Sequence, residues 1–287
     1  MISNTRLRTW RTCPQKEYLS FDLGLEPTTK PERLAWGSAF HAGRAGLAYE
    51  ADPFVRASVE KVLAVYREPC EVVAAELHFE LPFHGGTLCG DIDAIGTING
   101  RLVIVERKTT SRPVEDLLQN LDLDTQVLTY WLGARHLGYD VQSVLYCVQP
   151  KPTERPKKAT PVEKRKYKKG HLNESDVYIP GPLYANQRTT DETPDEYAAR
   201  IEVDPPTFKE VPVLHDALAR HERETQAQIR LREFQRANAL IYRNPQACED
   251  CWFTEICLRS DLTTTVPDGF IRRTAMGSVQ TPTLASS

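Results

Sequence analysis

The sequence predicts an α/β fold in which helices come first, a three-strand meander follows, and a further helix and a fourth strand complete the core. The pair Asn99-Gly100 lies between two β-type apolar runs, and such a pair is the strongest short hairpin signal because a type I′ turn needs positive φ at both central residues. Residues 113–138 carry apolar side chains at helical spacing, with Gly138 placed to end the helix. The apolar run 141–149 then predicts a strand that returns parallel to the third strand by a right-handed crossover.

The remaining elements follow from the same patterns. The run 71–83 predicts the first strand of the meander, and the segment His84-Gly85-Gly86 turns the chain into a second strand that starts near Thr87. Three further segments have helical patterns, namely residues 36–50, 52–66 and 211–245. Asn244-Pro245 ends the last of these helices.

Length and composition set limits on the class of protein. With 287 residues and 40% hydrophobic residues, the chain can bury a sizeable core, which excludes disorder throughout. The formal net charge of -3 gives no overall attraction for nucleic acid, so a polyanionic partner needs a local basic surface. The N-terminus has no cationic and then apolar leader, and no apolar run approaches the ~20 residues that span a bilayer. We therefore expect a cytoplasmic protein without membrane contact, whose seven cysteines serve roles other than disulfides.

Ionisable side chains share one face of the predicted hairpin. Counting outward from Asn99-Gly100 pairs Asp93 with Glu106 and Asp91 with Lys108, and the two-residue period of a strand puts all four on one face. Two opposed carboxylates on apolar strands repel each other unless a cation lies between them. A hard divalent ion with oxygen ligands meets that need. The alternative is a solvated hairpin in which Asp91 and Lys108 form a surface salt bridge.

Asp93, followed by Glu106-Arg107-Lys108 at the end of an apolar strand, resembles the active-site motif of the PD-(D/E)XK nucleases. The order of the elements resembles their restriction-endonuclease-like core. Further matches resemble the RecB-like branch, which includes the CRISPR-associated iron-sulfur exonucleases and the AddB-type helicase-nucleases. These matches are the upstream histidine motif in "GSAFH" with His41, the Gly-x-x-Asp in "GDID" with Asp93, and the Gln-x-x-x-Tyr in "QVLTY" with Gln126 and Tyr130. Residues 6–19 resemble the branch's N-terminal segment, so the resemblance runs from residue 6 to residue 257.

The resemblance implies a metal-dependent nuclease site. The implied ligands of one or two Mg²⁺ or Mn²⁺ ions are His41, Asp93, Glu106 and the backbone carbonyl of Arg107. Lys108 would position or deprotonate the attacking water and offset charge in the transition state. Gln126 and Tyr130, four residues apart on one helical face, would orient the attacking side or the DNA backbone near Lys108.

Each of these residues also has an ordinary structural interpretation. His41 fits a satisfied histidine in the core or at the surface. Gln126 and Tyr130 fit a core-facing helical stripe. Lys108 fits a charge at a strand end that reaches water. Five matches in the correct order along the chain favour the nuclease interpretation.

The cysteines near the C-terminus predict a second metal centre. Cys248, Cys251 and Cys257 place three thiols within ten residues, and thiolates favour zinc or an iron-sulfur cluster. In the RecB-like branch a cysteine at the position of Cys13 is the fourth ligand, so the resemblance implies a 4Fe-4S cluster that joins the N- and C-terminal segments. A zinc site with four thiolates and a set of uninvolved thiols are the alternatives.

A basic run follows the fourth strand. Residues 151–170 hold nine Lys or Arg against two Glu, and proline together with like-charge repulsion argues against a packed element. We therefore interpret residues 150–205 as a partly flexible insert. In a nuclease with negative net charge, this run is the candidate attractor for DNA phosphates, and a solvated surface loop is the alternative. The candidate DNA-binding residues are Lys164, Arg165, Lys166, Lys168 and Lys169.

Together these patterns predict one nuclease domain at residues 1–261, with the iron-sulfur segment at 245–261 and a disordered tail at 262–287, rich in Thr, Ser and Pro. The expected activity is that of a Mg²⁺- or Mn²⁺-dependent DNA exonuclease on single-stranded ends. Recombination and repair, phage DNA metabolism and CRISPR spacer acquisition are all compatible with it. The alternative is a non-cleaving DNA-binding or assembly module, which would have little reason to keep a repelling carboxylate pair.

Overall fold

The computed structural model describes residues 1–29, 32–83, 86–119, 121, 124–175, 177–249 and 251–273. Its strands are β1 Ile2–Ser3, β2 Leu25–Pro27, β3 Glu71–Phe83, β4 Gly86–Ile98, β5 Arg101–Thr110, β6 Ser143–Pro150, β7 His171–Leu172, β8 Tyr178–Ile179, β9 Thr207–Pro212 and β10 Phe270–Arg272. Its helices are α1 Asn4–Thr12, α2 Pro14–Glu17, α3 Glu32–Arg44, α4 Pro53–Val65, α5 Val114–Leu118, α6 Thr125–His136, α7 Pro194–Arg200 and α8 His215–Ala237. No helix in these ranges is both long and apolar enough to cross a membrane.

A mixed sheet of six strands forms the centre of the molecule. The order is β1-β4-β5-β6-β9, with β3 on the other edge of β4. The antiparallel meander β3-β4-β5 and the parallel β5-β6 pair agree with the prediction from the sequence. β9 adds a fifth core strand, antiparallel to β6, that the sequence pattern did not reveal. Residues 84 and 85 of the predicted turn lie outside the described residues.

Apolar side chains pack on both faces of this sheet. Ile104 belongs to a cluster with Trp131 of α6, whereas its neighbours Val103 and Val105 belong to a cluster with Phe40 of α3 on the opposite face. Because successive side chains of a strand alternate between the two faces, this arrangement explains the nearly continuous apolar sequence of β5. The polar residues that interrupt that sequence therefore occupy positions that a core would otherwise fill.

The N- and C-terminal segments lie against each other. β2 pairs antiparallel with β10, and the segments share an apolar cluster built from Leu19, Leu25, Phe253, Ile256 and Leu262. Glu17, which is 1% exposed, accepts hydrogen bonds from the guanidinium groups of three arginines, Arg6, Arg232 and Arg236. Contacts within the protein thus join the two ends of the chain.

Two segments predicted as single long helices are helical over only part of their length. The segment predicted as one helix at 113–138 contains α5 and α6, because Asp124 caps α6 through its side chain, which accepts from the backbone N–H of Gln126. The segment 211–245 is helical only in α8, since Val211 and Pro212 belong to β9.

The insert and the start of the C-terminal tail both contain secondary structure. Proline and charge predicted no packed element within 150–205, yet α7 begins at a capping box of Thr193 and Glu196 and buries Tyr197 against Phe54 of α4. Within the segment predicted to be a disordered tail, residues 270–272 form β10, and Phe270 stacks on Phe253. Residues 274–287 lie outside the described residues.

Candidate active site

The candidate site lies where strands β4 and β5 separate. Their antiparallel pairing runs from Ile98↔Arg101 to Ala94↔Val105, in the register predicted from the Asn99-Gly100 turn. Beyond Ala94 the pairing ends, and β1 pairs with β4 at Leu88 and Cys89. Since β3 pairs along the other edge of β4, β1 and β5 share one edge. The ends of β4 and β5 therefore diverge around Asp93.

Where the pairing of β4 with β5 ends, the side chain of Asp93 accepts the hydrogen bond that a backbone oxygen of β4 would otherwise accept. Its Oδ2 accepts a hydrogen bond from the backbone N–H of Arg107 at 2.8 Å. Nη1 of Arg107 donates to the backbone oxygen of Asp93 at 3.1 Å. Oδ1 lies 3.7 Å from Nδ1 of His41, in the last turn of α3. The carboxylate of Asp93 therefore lies between the backbone N–H of Arg107 on the sheet and the imidazole of His41 on the helix.

Glu106 is a buried carboxylate whose two oxygens differ in their contacts. Its side chain is 2% exposed, and Oε1 lies 2.5 Å from Nζ of Lys108. Oε2 is also buried and has no hydrogen-bond partner among the described residues. Burial raises the pKa of Glu106 to about 8, an effect that Lys108 opposes and that the charge of Asp93 adds to. A buried acceptor without a partner is costly, so this oxygen is the place where a cation would bring the largest gain.

Lys108 is the first member of a chain of hydrogen bonds that leads to α6. Its Nζ donates to Oε1 of Gln126 at 2.7 Å, and Nε2 of Gln126 donates to the hydroxyl of Tyr130 at 2.8 Å. Burial alone would lower the pKa of Lys108, but the charges of Glu106 and Asp124 raise it above its usual value. The ammonium is therefore charged at neutral pH, and Gln126 fixes its position.

His41 lies beside this cluster in a form suited to metal binding. Burial lowers its pKa, and the positive charges of Arg107, Lys108 and Lys151 lower it further, while Asp93 opposes the change. The imidazole is therefore neutral near pH 7, which is the form that binds metals. Contacts of the structure thus link His41 to Asp93, and Glu106 to Lys108, Gln126 and Tyr130.

The predicted contact between Asp91 and Lys108 does not form. Asp91 is 74% exposed and its Oδ1 lies 2.8 Å from Nδ1 of His78 on β3. The prediction was wrong because it extended the β4–β5 register past Ala94, where the strands have already separated.

Two features of the site were missed from the sequence. Asp124 caps α6 and its Oδ2 lies 4.0 Å from Nζ of Lys108. On the other side of the sheet, Arg107 donates to both oxygens of Glu68 at 2.6 and 3.1 Å. An Asp two residues before Gln126 is a capping signal that could have revealed the first feature. Glu68 lies in a connecting segment and carries no such signal.

The residues of the site fit a divalent cation by their chemistry. Two carboxylates and a neutral imidazole are oxygen and nitrogen donors of the kind that Mg²⁺ and Mn²⁺ accept, and Glu106 offers an oxygen without a partner. Among the described residues, however, no group of three or more His, Cys, Asp or Glu side chains is already arranged to hold a metal ion. The candidate donors lie in one region of the structure, but their side chains do not form a complete coordination site.

The four cysteines of the predicted second metal centre also lie near one another without forming a complete metal site among the described residues. The backbone of Asn244 contacts two of the thiols: its N–H donates to Sγ of Cys13 at 3.4 Å, and its oxygen accepts from Sγ of Cys248 at 3.7 Å. Burial raises the pKa of Cys257, and the charges of Cys13, Cys251 and Cys248 add to the rise. All four cysteines are free thiols. Cys13 therefore lies with the C-terminal cysteines, more than two hundred residues away along the chain.

The basic run divides into two kinds of residue. Lys164, Lys166, Lys168 and Lys169 are exposed to solvent. Arg165 is half-buried and donates to the backbone oxygens of Thr160 and Thr189 at 2.9 and 3.1 Å. The four lysines remain accessible to a polyanion, whereas Arg165 holds the insert together.

Comparisons with known proteins identify the family of this chain. Seventeen chains of solved structures match. One of them, "Crystal structure of SSO0001", is similar over 90% of this chain and 85% of that chain, at 15% sequence identity and a TM-score of 0.41. A search of the curated proteins found no match. A family model described as the PD-(D/E)XK nuclease superfamily matches residues 44–258, a range that includes Asp93, Glu106 and Lys108 and covers most of the sequence. The chain therefore belongs to the PD-(D/E)XK nuclease superfamily.

Proposed function

We propose that the protein is a Mg²⁺- or Mn²⁺-dependent DNA exonuclease of the RecB-like branch that acts on single-stranded ends. The observation that carries this proposal is Glu106, a buried carboxylate with one oxygen lacking a partner, beside Asp93 and His41. A carboxylate in this setting is unfavourable for folding by itself, and a bound cation would offset the cost. His41, Asp93 and Glu106 would hold the ion, together with the backbone carbonyl of Arg107.

When bound, a divalent cation supplies Lewis-acid stabilisation of the negative charge that develops on the phosphate during hydrolysis. Lys108 adds a fixed positive charge to the same place and orients the attacking water. Gln126 prevents the Lys108 ammonium from swinging away, since it accepts a hydrogen bond from Nζ and is itself held by Tyr130. Arg107 orients Asp93 through two hydrogen bonds, one from its backbone N–H to the carboxylate and one from its guanidinium to the backbone oxygen of Asp93.

The same proposal includes a 4Fe-4S cluster bound by Cys13, Cys248, Cys251 and Cys257. Four thiolates are a donor set for such a cluster, and the contacts of Asn244 with both Cys13 and Cys248 support the inclusion of Cys13 in that set. The cluster would reinforce the junction between the two ends of the chain and so would contribute to stability rather than to chemistry.

The four exposed lysines of the insert are the proposed long-range attractor for DNA. They are Lys164, Lys166, Lys168 and Lys169. A local basic surface of this kind compensates for the negative net charge of the whole chain.

Cleavage of end-labelled DNA tests the proposed activity. Linear single strands should be degraded in Mn²⁺ or Mg²⁺ and stay intact in EDTA, while circular single strands should resist because they offer no end. Cleavage of circles at the rate of linear strands would contradict exonuclease action. No cleavage of either would leave a non-cleaving DNA-binding module.

Iron analysis tests the cluster separately. Anaerobically purified protein should be brown with roughly four irons per chain, whereas zinc would leave it colourless. Cys13→Ala and Cys251→Ala should lose iron and thermal stability to the same extent, and Cys89→Ala, which alters a thiol on β4, is the matched control. Full iron content in Cys13→Ala with loss in Cys251→Ala would show that the fourth ligand is elsewhere.

A further inference from the structure

A cavity of about 420 Å³ opens directly beside the candidate site. His41 belongs to both, because it lines the cavity while its Nδ1 lies 3.7 Å from the Asp93 carboxylate. Thr109, the residue after Lys108 on β5, also lines it. Trp252 and Phe253, from the C-terminal cysteine segment, line it as well. The volume lies in the range of ligand-binding pockets, about 300–1,000 Å³.

The charged groups of this cavity favour an anion. Lys151 and Arg273 line it together with the imidazole of His41. Glu26 is the one acidic side chain among the described residues of its wall, and it is already paired with Nε of Arg273 at 2.5 Å. Lys151 is half-buried, with Nζ 5.9 Å from the centre of the Trp36 ring. Basic side chains therefore outnumber carboxylates by two to one in the described lining, next to the proposed metal site.

Trp252 is an exposed aromatic residue in the lining of the cavity. It is 40% exposed, whereas the other three tryptophans, Trp10, Trp36 and Trp131, are each less than a tenth exposed. Nζ of Lys16 lies 5.7 Å from the centre of its ring. The next residue, Phe253, is buried and stacks on Phe270, which fixes this part of the chain. A fixed, accessible ring bordered by cations is the arrangement on which nucleic acid bases stack.

Gly37 connects the cavity to the catalytic side chains. A Cβ at this position would lie 2.9 Å from Oγ1 of Thr109 and 3.8 Å from Nζ of Lys151. The absence of a side chain therefore lets α3 lie close against the end of β5. The same close approach brings His41, one turn later on α3, to Asp93.

We propose that this cavity binds the nucleotide next to the scissile phosphate, with its base stacked on Trp252 and its phosphate held by Lys151 and Arg273. This inference rests on the proposed nuclease function and specifies its substrate. A base within a duplex has both faces covered by its neighbours and cannot stack on a protein ring, so the cavity selects an unpaired strand. The C-terminal cysteine segment is then one wall of the substrate site as well as part of the junction between the chain ends.

Tryptophan fluorescence tests this directly, because Trp252 is the exposed tryptophan. In a Glu106→Gln background, which keeps the strand uncut, single-stranded oligothymidylate should quench the emission, and Trp252→Phe should remove most of the quenching while anisotropy still reports binding. Leu258→Ala, which alters an exposed residue of the same segment, is the matched control and should quench like the parent. Equal quenching in Trp252→Phe and the parent would overturn the proposal.

A scan with abasic nucleotides tests the position of the base. Removing one base near the cleaved end should weaken binding by about five-fold to a hundred-fold, as expected for losing one base–aromatic stack. In Trp252→Ala the same abasic substitution should cost little, because the ring is already absent. An abasic penalty of the same size in both proteins would contradict the proposal. If wild-type protein cuts DNA but either contradictory result appears, only the cavity assignment fails. If the wild-type protein cuts no DNA at all, the result contradicts the proposed nuclease function itself.

Discussion

Two buried carboxylates lie near Arg107 on the central sheet, and their surroundings differ. Glu68, 1% exposed, accepts from Arg107 through both oxygens and also pairs with Arg44 at 3.0 Å. Glu106, 2% exposed, has one lysine at one oxygen and no partner at the other. Burial works against ionisation of both. For Glu68 the hydrogen bonds and charges of Arg107 and Arg44 more than offset burial, so its pKa is lowered. For Glu106 burial prevails and its pKa is raised.

The difference separates a structural carboxylate from the one proposed to bind a metal ion. A buried charge with all its hydrogen bonds satisfied holds elements together, as Glu68 joins the segment before β3 to β5. A buried charge that lacks a hydrogen-bond partner destabilises the folded protein, and a bound ligand can remove that destabilisation. Along β5, the side chain of Arg107 contacts the structural carboxylate of Glu68. The neighbouring side chains of Glu106 and Lys108 contact each other at the candidate site.

The largest expected effect comes from removing the charge at the site. Glu106→Gln and Asp93→Asn should each lower the rate of DNA cleavage by about 10³-fold or more, since each removes a donor to the cation that stabilises the transition state. End-labelled single strands in Mn²⁺ provide the assay. Asp91→Asn is the matched control, because Asp91 is exposed and pairs with His78. Retained cleavage in Glu106→Gln would exclude Glu106 as a ligand.

The complementary change should affect stability. Glu68→Gln leaves Arg107 and Arg44 without their buried anion, and we expect a loss of about 3–5 kcal/mol in the free energy of unfolding, as when one partner of a buried ion pair is removed. Urea unfolding measures this, with Glu80→Gln at an exposed position as the control. The effect should shrink in acid: because the pKa of Glu68 is lowered on folding, its contribution is complete above the unfolded pKa of about 4.3 and is lost as the pH falls through the folded pKa. A loss below about 1 kcal/mol at neutral pH would show that the Glu68 network is not structural.

Lys108 should affect rate alone. Lys108→Ala removes the fixed charge beside Glu106 and should lower the cleavage rate by roughly 10²-fold while metal binding persists. Single-turnover cleavage and Mn²⁺ titration together separate the two effects. An unchanged rate would return Lys108 to the role of a charge at a strand end.

The smallest effect is expected far from both carboxylates. Replacing Lys164, Lys166, Lys168 and Lys169 with Gln should weaken DNA binding and reduce the slope of log affinity against log salt by about one unit for each lost phosphate contact. Arg165→Gln should instead lower stability, because its guanidinium holds two backbone oxygens of the insert. An unaltered salt slope in the lysine variant would identify the run as a solvated loop.

Local rules sufficed to predict much of this site. Asn99-Gly100 fixed the register of β4 and β5 from Ile98↔Arg101 to Ala94↔Val105, and Asp93 and Glu106 are the next residues beyond that pairing. The spacing of Gln126 and Tyr130 placed both on one face of α6, where they form a chain to Lys108. These features depend on residues close together along the chain, and local propensity specifies them.

The features that were missed depend on distant residues. The divergence of β4 and β5 follows from β1, a two-residue strand at the N-terminus. The pairing of Arg107 with Glu68 joins residues 39 positions apart, and β10 forms only because β2 is available to it. Short strands and single ion pairs leave no periodic pattern, so only tertiary structure reveals them.

Thermal unfolding of EDTA-treated protein, with and without Mn²⁺ at pH 8, tests the role of Glu106 most directly. Because the pKa of Glu106 is raised on folding to about 8, the wild type should lose stability relative to Glu106→Gln as the pH rises from about 4.5 to about 8. In EDTA at pH 8 the variant should therefore melt at or above the wild type. Mn²⁺ should then raise the Tm of the wild type and leave the Tm of the variant unchanged. Equal stabilisation of both proteins by Mn²⁺, or a variant that melts well below the wild type in EDTA, would contradict the proposal that Glu106 is a destabilising carboxylate that binds the metal ion.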